Sequence, residues 1–481
     1  MKEEIRVQLL SNTNEENVSN EKLHKFTGDS AIHHTTSSIT PMLLFSAFIA
    51  FLGSFSLGYI VAYTSPVQAE VMKELNLSTA EYSLFGSMSS IGGAIGAIVC
   101  GKLADYLGRR SALKLCDLFY IFGWFVISVA QDAWLLDLGR CMLGYSMAIS
   151  AYVAPIYVAE FTPKDLRGRF VYTHVFMLAT GSSAAFLIGL VITWRTLALI
   201  GIIPSLLQII GLFFIPESPR WLMMKSKNKE FEAALQCLRG DSINISQEAT
   251  DIKEHAEALH QLEKVGIVQL FQKKYAYVLT VGIGLAALVN LVGLPGVMSY
   301  ASSIFESAGF SVTVGTIALA FLQLPSVGLG IFLMDKCGRR PLLMGSAVGL
   351  CLGCLITGFA FVFEERRLLG GFSPYLALIG ILIFVASYPV GIGGVSAVIT
   401  SEIYPLNIKG LAGSVAALVS WLSAWTVSYA FNFSMEWSSS GTFFVLAGVS
   451  AFALIFVAKL VPETKGKTLE EVHMSISNVW Q

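Results

Sequence analysis

Residues 105–110 read DYLGRR, and residues 335–340 read DKCGRR. Two further marks follow this motif in the same order in each half of the chain. They are Glu160 with Arg167-Gly168, repeated as Glu402 with Lys409-Gly410, and PES at 216–218, repeated as PET at 462–464. The three offsets are 230, 242 and 246 residues. Such similar spacings predict a duplicated unit whose two copies have the same orientation.

The composition predicts that the duplicated unit lies in a membrane. Of the 481 residues, 54% are hydrophobic and only 14% are charged, with a mean hydropathy of +0.65. Soluble domains carry about 25% charged residues, so this chain has too few to coat a soluble surface. Twelve apolar runs are long enough to cross a bilayer, and their continuity excludes an alternating β-barrel pattern. They lie near residues 42–62, 83–101, 113–131, 135–158, 171–192, 196–215, 276–303, 312–334, 342–363, 373–399, 411–432 and 441–460. We therefore predict an all-α membrane protein with twelve transmembrane helices in two six-helix parallel repeats.

Lysine and arginine predict the orientation of these helices. With both termini in the cytosol, 27 of the 32 basic residues fall in the tails and cytosolic loops, and five fall elsewhere. The positive-inside rule favours this arrangement. The predicted segments are a disordered cytosolic tail (1–41), an N-terminal bundle (42–216), a cytosolic loop with short helices (217–275), a C-terminal bundle (276–461) and a cytosolic tail (462–481). No cleavable signal peptide is expected, so the first helix directs insertion into the lipid bilayer.

Several function classes are excluded by the residues that would carry them. Basic residues form no single face that would bind nucleic acid. The seven cysteines show no metal-ligand spacing, and we interpret them as unpaired. No nucleotide-binding loop or nucleophile–base pair is present, so neither an enzyme nor a bound cofactor or metal is expected.

The repeated charges predict a cluster at the cytosolic helix ends. Arginine binds a carboxylate in two places, and each half supplies arginine, acid and a second base at adjacent ends. Such groups can hold the two halves together on the cytosolic side. The alternative is ordinary topology charge with loose surface pairs. We name this set the gate cluster; it comprises Asp105, Arg109, Arg110, Glu160, Arg167, Glu217, Arg220, Asp335, Arg339, Arg340, Glu402, Lys409 and Glu463.

Taken together, the motifs resemble those of a known family. GKLADYLGRR (101–110), PESPR (216–220), DKCGRR (335–340) and PETKG (462–466) are similar to signatures of the sugar porter family of the major facilitator superfamily. MSYASSIF (298–305), TSEIYPLNIKGLAGS (400–414) and SSSGTFF (438–444) most resemble its plant early-responsive-to-dehydration-type monosaccharide transporters. The resemblance covers roughly residues 42–470. It implies two bundles that enclose a hexose-like monosaccharide near the midplane and open to each side in turn.

The resemblance also indicates where the substrate would bind, and there the chain departs from the family. Several expected positions are changed: the paired glutamines and later asparagine of helix 7 read Val289, Asn290 and Pro295, the helix 5 glutamine reads Val175, the helix 10 tryptophan reads Ala397, and the helix 11 asparagine reads Ser420. The remaining candidates are Asn290, Gln323, Trp421, Tyr388 and Tyr300. A lone amide can instead bond a neighbouring helix, and aromatic side chains also pack. We interpret His174, beside Val175, as structural.

The same comparison predicts transport without a proton gradient. Proton-coupled sugar porters resemble one another in an Asp directly after Gly-Tyr in helix 1, where this chain has Ile60 after Gly58-Tyr59. We expect no other carboxylate in the middle of a helix, so facilitated diffusion is predicted and Arg140 lacks an acidic partner. The alternatives are a carrier of another small polar solute, proton-coupled sugar transport, and a non-transporting sugar sensor.

Two short motifs bear on modification and location. Asn76-Leu77-Ser78 is a glycosylation sequon in the first predicted external loop, so an N-glycan is expected on Asn76. Leu9-Leu10, with Ile5 upstream, resembles a dileucine sorting signal for the vacuolar membrane. We therefore expect the protein in the vacuolar or the plasma membrane, and the sequence favours neither of the two.

Overall fold

The computed structural model describes residues 40–163, 167–240, 243–261, 267–270, 272–368, 371–405 and 408–465. The predicted tail 1–41 lies outside them except for its last two residues, and so does most of the tail 462–481. In the first half the helices are α1 Pro41–Glu74, α2 Thr79–Leu107, α3 Arg109–Val129, α4 Ala133–Phe161, α5 Arg167–Gly189, α6 Trp194–Gly211, α7 Pro219–Met224, α8 Asn228–Arg239 and α9 Ser246–Gln261. In the second half they are α10 Ile267–Leu270, α11 Lys273–Leu291, α12 Leu294–Ser299, α13 Ala301–Ser307, α14 Val312–Lys336, α15 Arg339–Glu365, α16 Ser373–Val390, α17 Ile392–Ile403, α18 Lys409–Trp437 and α19 Ser439–Leu460.

The twelve predicted spans are all helical, which confirms the predicted fold class. Eleven helical segments of the described chain are long and apolar enough to cross a membrane. The fifth predicted span is α5, whose apolar part, Thr173–Gly189, is shorter. Spans 7 and 10 are each built from more than one helix. Span 7 breaks at Gly293, whose φ of +107° suits a residue without a Cβ and where an added Cβ would lie 2.7 Å from Leu446.

Side-chain caps set the first residues of several helices. Thr40 accepts the backbone N–H of Leu43 at the start of α1, and Asp132 accepts that of Leu135 at the start of α4. Ser78 and Glu81 form a reciprocal capping box at the start of α2. These caps satisfy backbone N–H groups that the first helical turn leaves without partners.

Antiparallel connections place the helix ends on two faces of the bundle. We call the face that holds the ends near Leu107, Phe161 and Gly211, with the loop helices α7–α9, the loop face. The opposite ends lie on the far face. The loop helices bury a small apolar cluster of their own: Trp221, Leu222, Phe231, Ala234 and Leu235. Arg239 anchors it through Glu248 at 2.6 Å and the carbonyl of Phe161 at 3.0 Å.

The two halves meet mainly through α2 with α18 and α5 with α14. On the far face, Ser65 Oγ lies 3.0 Å from Ser302 Oγ, and Ser303 donates to Gln68 at 2.6 Å. Further contacts of this kind join Thr79 to Glu436 at 2.6 Å and Ser183 to the carbonyl of Ala320 at 2.8 Å. These hydrogen bonds between the halves lie between the middle of the bundle and the far face. The protein is therefore in a form closed at the far face.

Candidate functional site

The first candidate substrate residue, Asn290, bonds a neighbouring helix. It lies near the end of α11, and its Nδ2 donates to both the carbonyl oxygen and the hydroxyl of Ser420 on α18, at 2.9 and 2.8 Å. Both residues are partly exposed. Two positions at which the family resemblance places substrate contacts therefore bond each other in this chain.

Trp421 and Gln323 lie at the same interface between the halves. Trp421 follows Ser420 and packs its ring against Gly93 of α2, where an added Cβ would approach the ring within 2.4 Å. Gln323 lies on α14, one turn from Ala320, and is 7% exposed. Its Nε2 is enclosed without a partner among the described residues. An amide in that condition is available to a ligand hydroxyl, since an unsatisfied buried donor is costly.

The two tyrosine candidates lie in different surroundings. Tyr300 is fully buried at the break between α12 and α13. It stacks on Phe431, donates to the carbonyl of Ser428 at 3.2 Å and places its hydroxyl against Gly86 of the other half. Tyr388 is half-buried near the end of α16 and packs against Gly393. Tyr300 thus contributes to the far-face closure, whereas Tyr388 packs within the second half.

The gate-cluster residues of the first half form a closely bonded network. Arg109 pairs with Glu160 at 2.9 Å through two nitrogens and with Asp105 at 3.1 Å. Ser218 donates to the second carboxylate oxygen of Glu160 at 2.5 Å. Arg110 donates to the carbonyl of Ile215 at 3.1 Å. Every partner belongs to the first half or to the loop helices that follow it.

The equivalent residues of the second half are more loosely bonded. Arg339 lies 3.4 Å from Glu402, and the two side chains are 20% and 31% exposed, against 8% and 14% for Arg109 and Glu160. In the described part of this cluster four buried atoms lack partners: Arg339 Nε, Arg340 Nε, Glu402 Oε2 and Thr464 Oγ1. Thr464 occupies the place of Ser218, so the bond that Ser218 makes has no counterpart here.

Glu217 and Glu463 bond the backbone instead of arginine side chains. Glu217 accepts the N–H groups of Arg109 and Arg110 at 3.0 and 3.1 Å, which caps the start of α3. Glu463 caps α15 in the same way, through Arg339 at 3.0 Å and Arg340 at 3.1 Å. The negative charge also complements the positive end of each helix dipole.

This cap explains the glycine in both copies of the repeated motif. A Cβ on Gly108 would lie 2.6 Å from Glu217 Oε2, and one on Gly338 would lie 2.3 Å from Glu463 Oε2. Only glycine lets each carboxylate reach the first N–H groups of the helix. The two marks, GRR and PE, are therefore parts of one contact.

The remaining gate-cluster positions are only partly described. The side chains of Arg167 and Asp335 lie outside the described residues. Lys409 donates to the carbonyl of Ser401 at 2.9 Å, and Arg220 Nε is buried without a partner in the described chain.

Arg140 has a backbone partner in the membrane. Its Nη1 donates to the carbonyl of Ile60 at 3.0 Å, the residue that follows Gly58-Tyr59 in α1. The guanidinium lies 5.1 Å from the Phe85 ring centroid and 5.9 Å from that of Tyr63. Asp137 lies one turn earlier on α4 and is buried. In the described structure it forms no ion pair with Arg140.

The expectation that no other carboxylate lies in the middle of a helix was wrong. Asp117 lies near the middle of α3, is fully buried, and neither oxygen has a partner in the described structure. Cys116 and Tyr120 adjoin it on the same helix. An acidic residue five positions into an apolar run was the available signal. An unpaired charge in apolar surroundings is costly, so the carboxyl is expected to hold its proton.

The sequon at Asn76 lies in an exposed turn. Asn76 has a φ of +51° between α1 and α2, on the far face, and is exposed. Three further Asn-X-Ser sequons begin at Asn17, Asn244 and Asn432. Asn244 lies in the loop region on the opposite face, whereas Asn432 is 7% exposed within α18. Asn17 lies outside the described residues.

Two halves of six spans, joined by a helical loop and closed at one face around an interfacial site, define a membrane carrier. The model of the family described as "Sugar (and other) transporter" matches residues 35–475. The chain belongs to this family, as the motifs predicted. The family consists of transporters, not enzymes.

Individual relatives agree with this assignment. "Sugar transporter ERD6-like 16" of Arabidopsis thaliana is 48% identical over 436 residues, which cover 90% of this chain and 90% of that protein. The xylose transporter XylE from E. coli in an inward open conformation is 26% identical, with a TM-score of 0.75 over 90% of this chain and 99% of that one. A structure of the proton:xylose symporter XylE bound to 6-bromo-6-deoxy-D-glucose is 25% identical, with a TM-score of 0.73 over 92% and 100% of the two chains.

Proposed function

We propose that the protein is an alternating-access carrier that moves monosaccharides across a membrane by facilitated diffusion. The family membership supports a sugar substrate, and the similar proteins named above are described as sugar or xylose transporters. The position of Trp421 against the opposite bundle, next to the Ser420 that bonds Asn290, together with the unpaired amide of Gln323, carries this proposal. Amide groups beside an aromatic ring match the hydroxyls and the C–H face of a sugar.

The environment of Arg140 supports diffusion without proton coupling. A coupling acid must bind and release its proton from each side in turn. Beside Arg140 the first helix presents the carbonyl of Ile60, which cannot titrate. The neutral carbonyl and the aromatic rings satisfy this arginine in the absence of an acid.

Proton-coupled sugar transport is the second candidate, and Asp117 is the observation that favours it. The XylE structure similar to this chain is described as a proton:xylose symporter. Asp117 is fully buried within the first half in the far-face-closed form, so its carboxyl has no contact with solvent there. We therefore expect Asp117→Asn to keep both uptake and its independence of pH. Loss of proton-driven accumulation in that variant would favour the second candidate.

The orientation and segment boundaries extend the same proposal. With the loop face in the cytosol, both termini are cytosolic and the bundles occupy residues 42–216 and 276–461. The excess of lysine and arginine on that side supports this placement. The vacuolar and plasma membranes are both consistent with such a carrier.

Substrate counterflow with purified protein in vesicles tests the substrate class. Vesicles loaded with unlabelled hexose should take up labelled hexose transiently, because the unlabelled sugar inside competes with the labelled sugar for exit on the carrier. Polyols and amino acids at the same concentration serve as comparisons. Exchange of one of these in place of any monosaccharide would assign the carrier to another polar solute, and binding without exchange would indicate a sensor.

A further inference from the structure

The contact between Asn290 and Ser420 determines which way the Asn290 amide points. The group that lies 2.9 Å from the Ser420 carbonyl must be a donor, because a backbone carbonyl only accepts. The Asn290 atom that faces it is therefore the NH₂ group, and the flipped orientation would place two acceptors together. The second N–H is directed at the Ser420 hydroxyl, 2.8 Å away. Both donors of the amide are thus occupied.

The acceptor of the same amide remains free. Asn290 Oδ1 has no hydrogen-bond partner among the described residues, and it is not one of the enclosed atoms of the described chain. Its partner Ser420 directly precedes Trp421, whose ring reaches the opposite half at Gly93. The amide that carries the free acceptor is therefore held by α18, the helix that also supplies the ring facing the other half.

We infer that Ser420 is a positioning residue that fixes Asn290 as a hydrogen-bond acceptor, so that the transported sugar must donate one hydroxyl proton to Asn290 Oδ1. This inference rests on the proposed sugar transport. Its consequence is a chemical selectivity. A deoxyfluoro sugar can accept a hydrogen bond but cannot donate one, so fluorine cannot replace the hydroxyl that Asn290 contacts.

Competition by modified hexoses tests this selectivity. The measurement is the inhibition of labelled hexose uptake into vesicles by deoxy and deoxyfluoro analogues, each altered at one hydroxyl. We expect one position at which both analogues compete about three- to tenfold more weakly than the parent sugar, as a lost net hydrogen bond implies. In Asn290→Leu this penalty should disappear, with a rise in KM for the parent sugar.

Ser420→Ala separates positioning from simple packing. This small change keeps the bond to the backbone carbonyl but removes the hydroxyl partner, so the second N–H of the amide is released and can donate to the sugar. The fluoro analogue should then compete better than the deoxy analogue at that position, while kcat changes little. Ser434→Ala is the matched control, because Ser434 lies on the same helix and bonds only its own helix, at the carbonyl of Ala430.

The outcomes distinguish the inference from the function on which it rests. Suppose that the wild type takes up hexose and that the fluoro analogue competes as well as the parent sugar at every position. This result would overturn the acceptor role. The acceptor role is equally overturned if the penalty persists unchanged in Asn290→Leu, or if Ser420→Ala keeps the wild-type ratio of fluoro to deoxy inhibition. Absence of saturable hexose uptake by the wild type would instead overturn the proposed function and the inference with it.

Discussion

The carboxylate of Glu217 accepts the backbone N–H of Arg109 at 3.0 Å, across a space that only Gly108 leaves open. Glu463, Arg339 and Gly338 repeat this contact in the second half. Each acid therefore joins the end of one six-helix unit to the start of its third span. The recurrence indicates that duplication preserved a complete structural contact, not just a run of charges.

The two capping acids should respond differently to neutralisation. Burial raises the pKa of Glu217, although backbone N–H groups of Ser218, Arg110 and Arg109 oppose it. Burial also opposes the charge of Glu463, but hydrogen bonds from Lys465, Arg339 and Arg340 outweigh it and lower its pKa. Ionised Glu463 thus stabilises the fold above its unfolded pKa, and this contribution is lost as pH falls through the folded pKa. For Glu217 the ionised form costs stability at neutral pH, and the cost is relieved in acid.

We therefore expect Glu463→Gln to lower the thermal midpoint in detergent at neutral pH, with a difference that shrinks as the pH is lowered. Glu217→Gln should lower it less. Glu230→Gln is the control, because Glu230 forms only an exposed pair with Lys227 at 3.1 Å. A larger loss in Glu217→Gln than in Glu463→Gln would contradict this assignment.

Gly108→Ala should destabilise the protein through both backbone and contact. Gly108 has a φ of +92° and a ψ of 166°, a conformation that costs other residues about 1–3 kcal/mol. The new methyl group would also displace Glu217 from the helix end. We expect a lower thermal midpoint and reduced yield of folded carrier. Gly345→Ala, at a glycine with open space around it, is the matched control and should leave both unchanged.

The looseness of the second-half gate cluster predicts an asymmetric effect on the transport cycle. A bond that is equally present in both forms shifts no population. Arg109–Glu160 is already complete in the far-face-closed form, whereas Arg339–Glu402 leaves buried atoms unpaired. Only the second pair can gain bonds when the loop face closes. Glu402→Gln should therefore favour the far-face-closed form and slow turnover more than Glu160→Gln does.

Cysteine accessibility from each side measures that shift. Single-cysteine reporters on the loop face should label faster in Glu402→Gln, and reporters on the far face more slowly. Substrate affinity should change less than turnover, since neither acid contacts the candidate site. Equal accessibility in the wild type and both variants, with normal uptake, would mean that these charges set topology alone.

Asn76→Gln should abolish N-glycosylation in a cell that glycosylates the protein. Asn76 is exposed in a turn on the far face, which the proposed orientation places away from the cytosol. Asn244→Gln is the control and should leave the glycan in place. A mobility shift on endoglycosidase treatment reads out both variants. Glycan on Asn244 would require the opposite orientation.

The repeats were enough to predict the fold, because duplicated motifs and apolar runs are local signals. Contacts between distant helices were not predictable in the same way. Asn290 was identified as a site residue, but its bond to Ser420 depends on which faces α11 and α18 present, 130 residues apart. Glu217 was assigned to the gate cluster, yet no sequence pattern distinguishes an acid that bonds arginine side chains from one that bonds their backbone. Asp117, in contrast, was identifiable from the sequence as an acid within an apolar run, although its burial without a partner was not.

The most direct test of facilitated diffusion, in which the sugar gradient alone drives transport, is hexose uptake into vesicles that hold the purified protein. Labelled hexose is supplied outside, with and without an inwardly directed proton gradient, and a protonophore is added at the plateau. We expect saturable uptake that stops at the external concentration and is unaffected by either treatment. Accumulation above the external concentration that collapses with the protonophore would contradict facilitated diffusion.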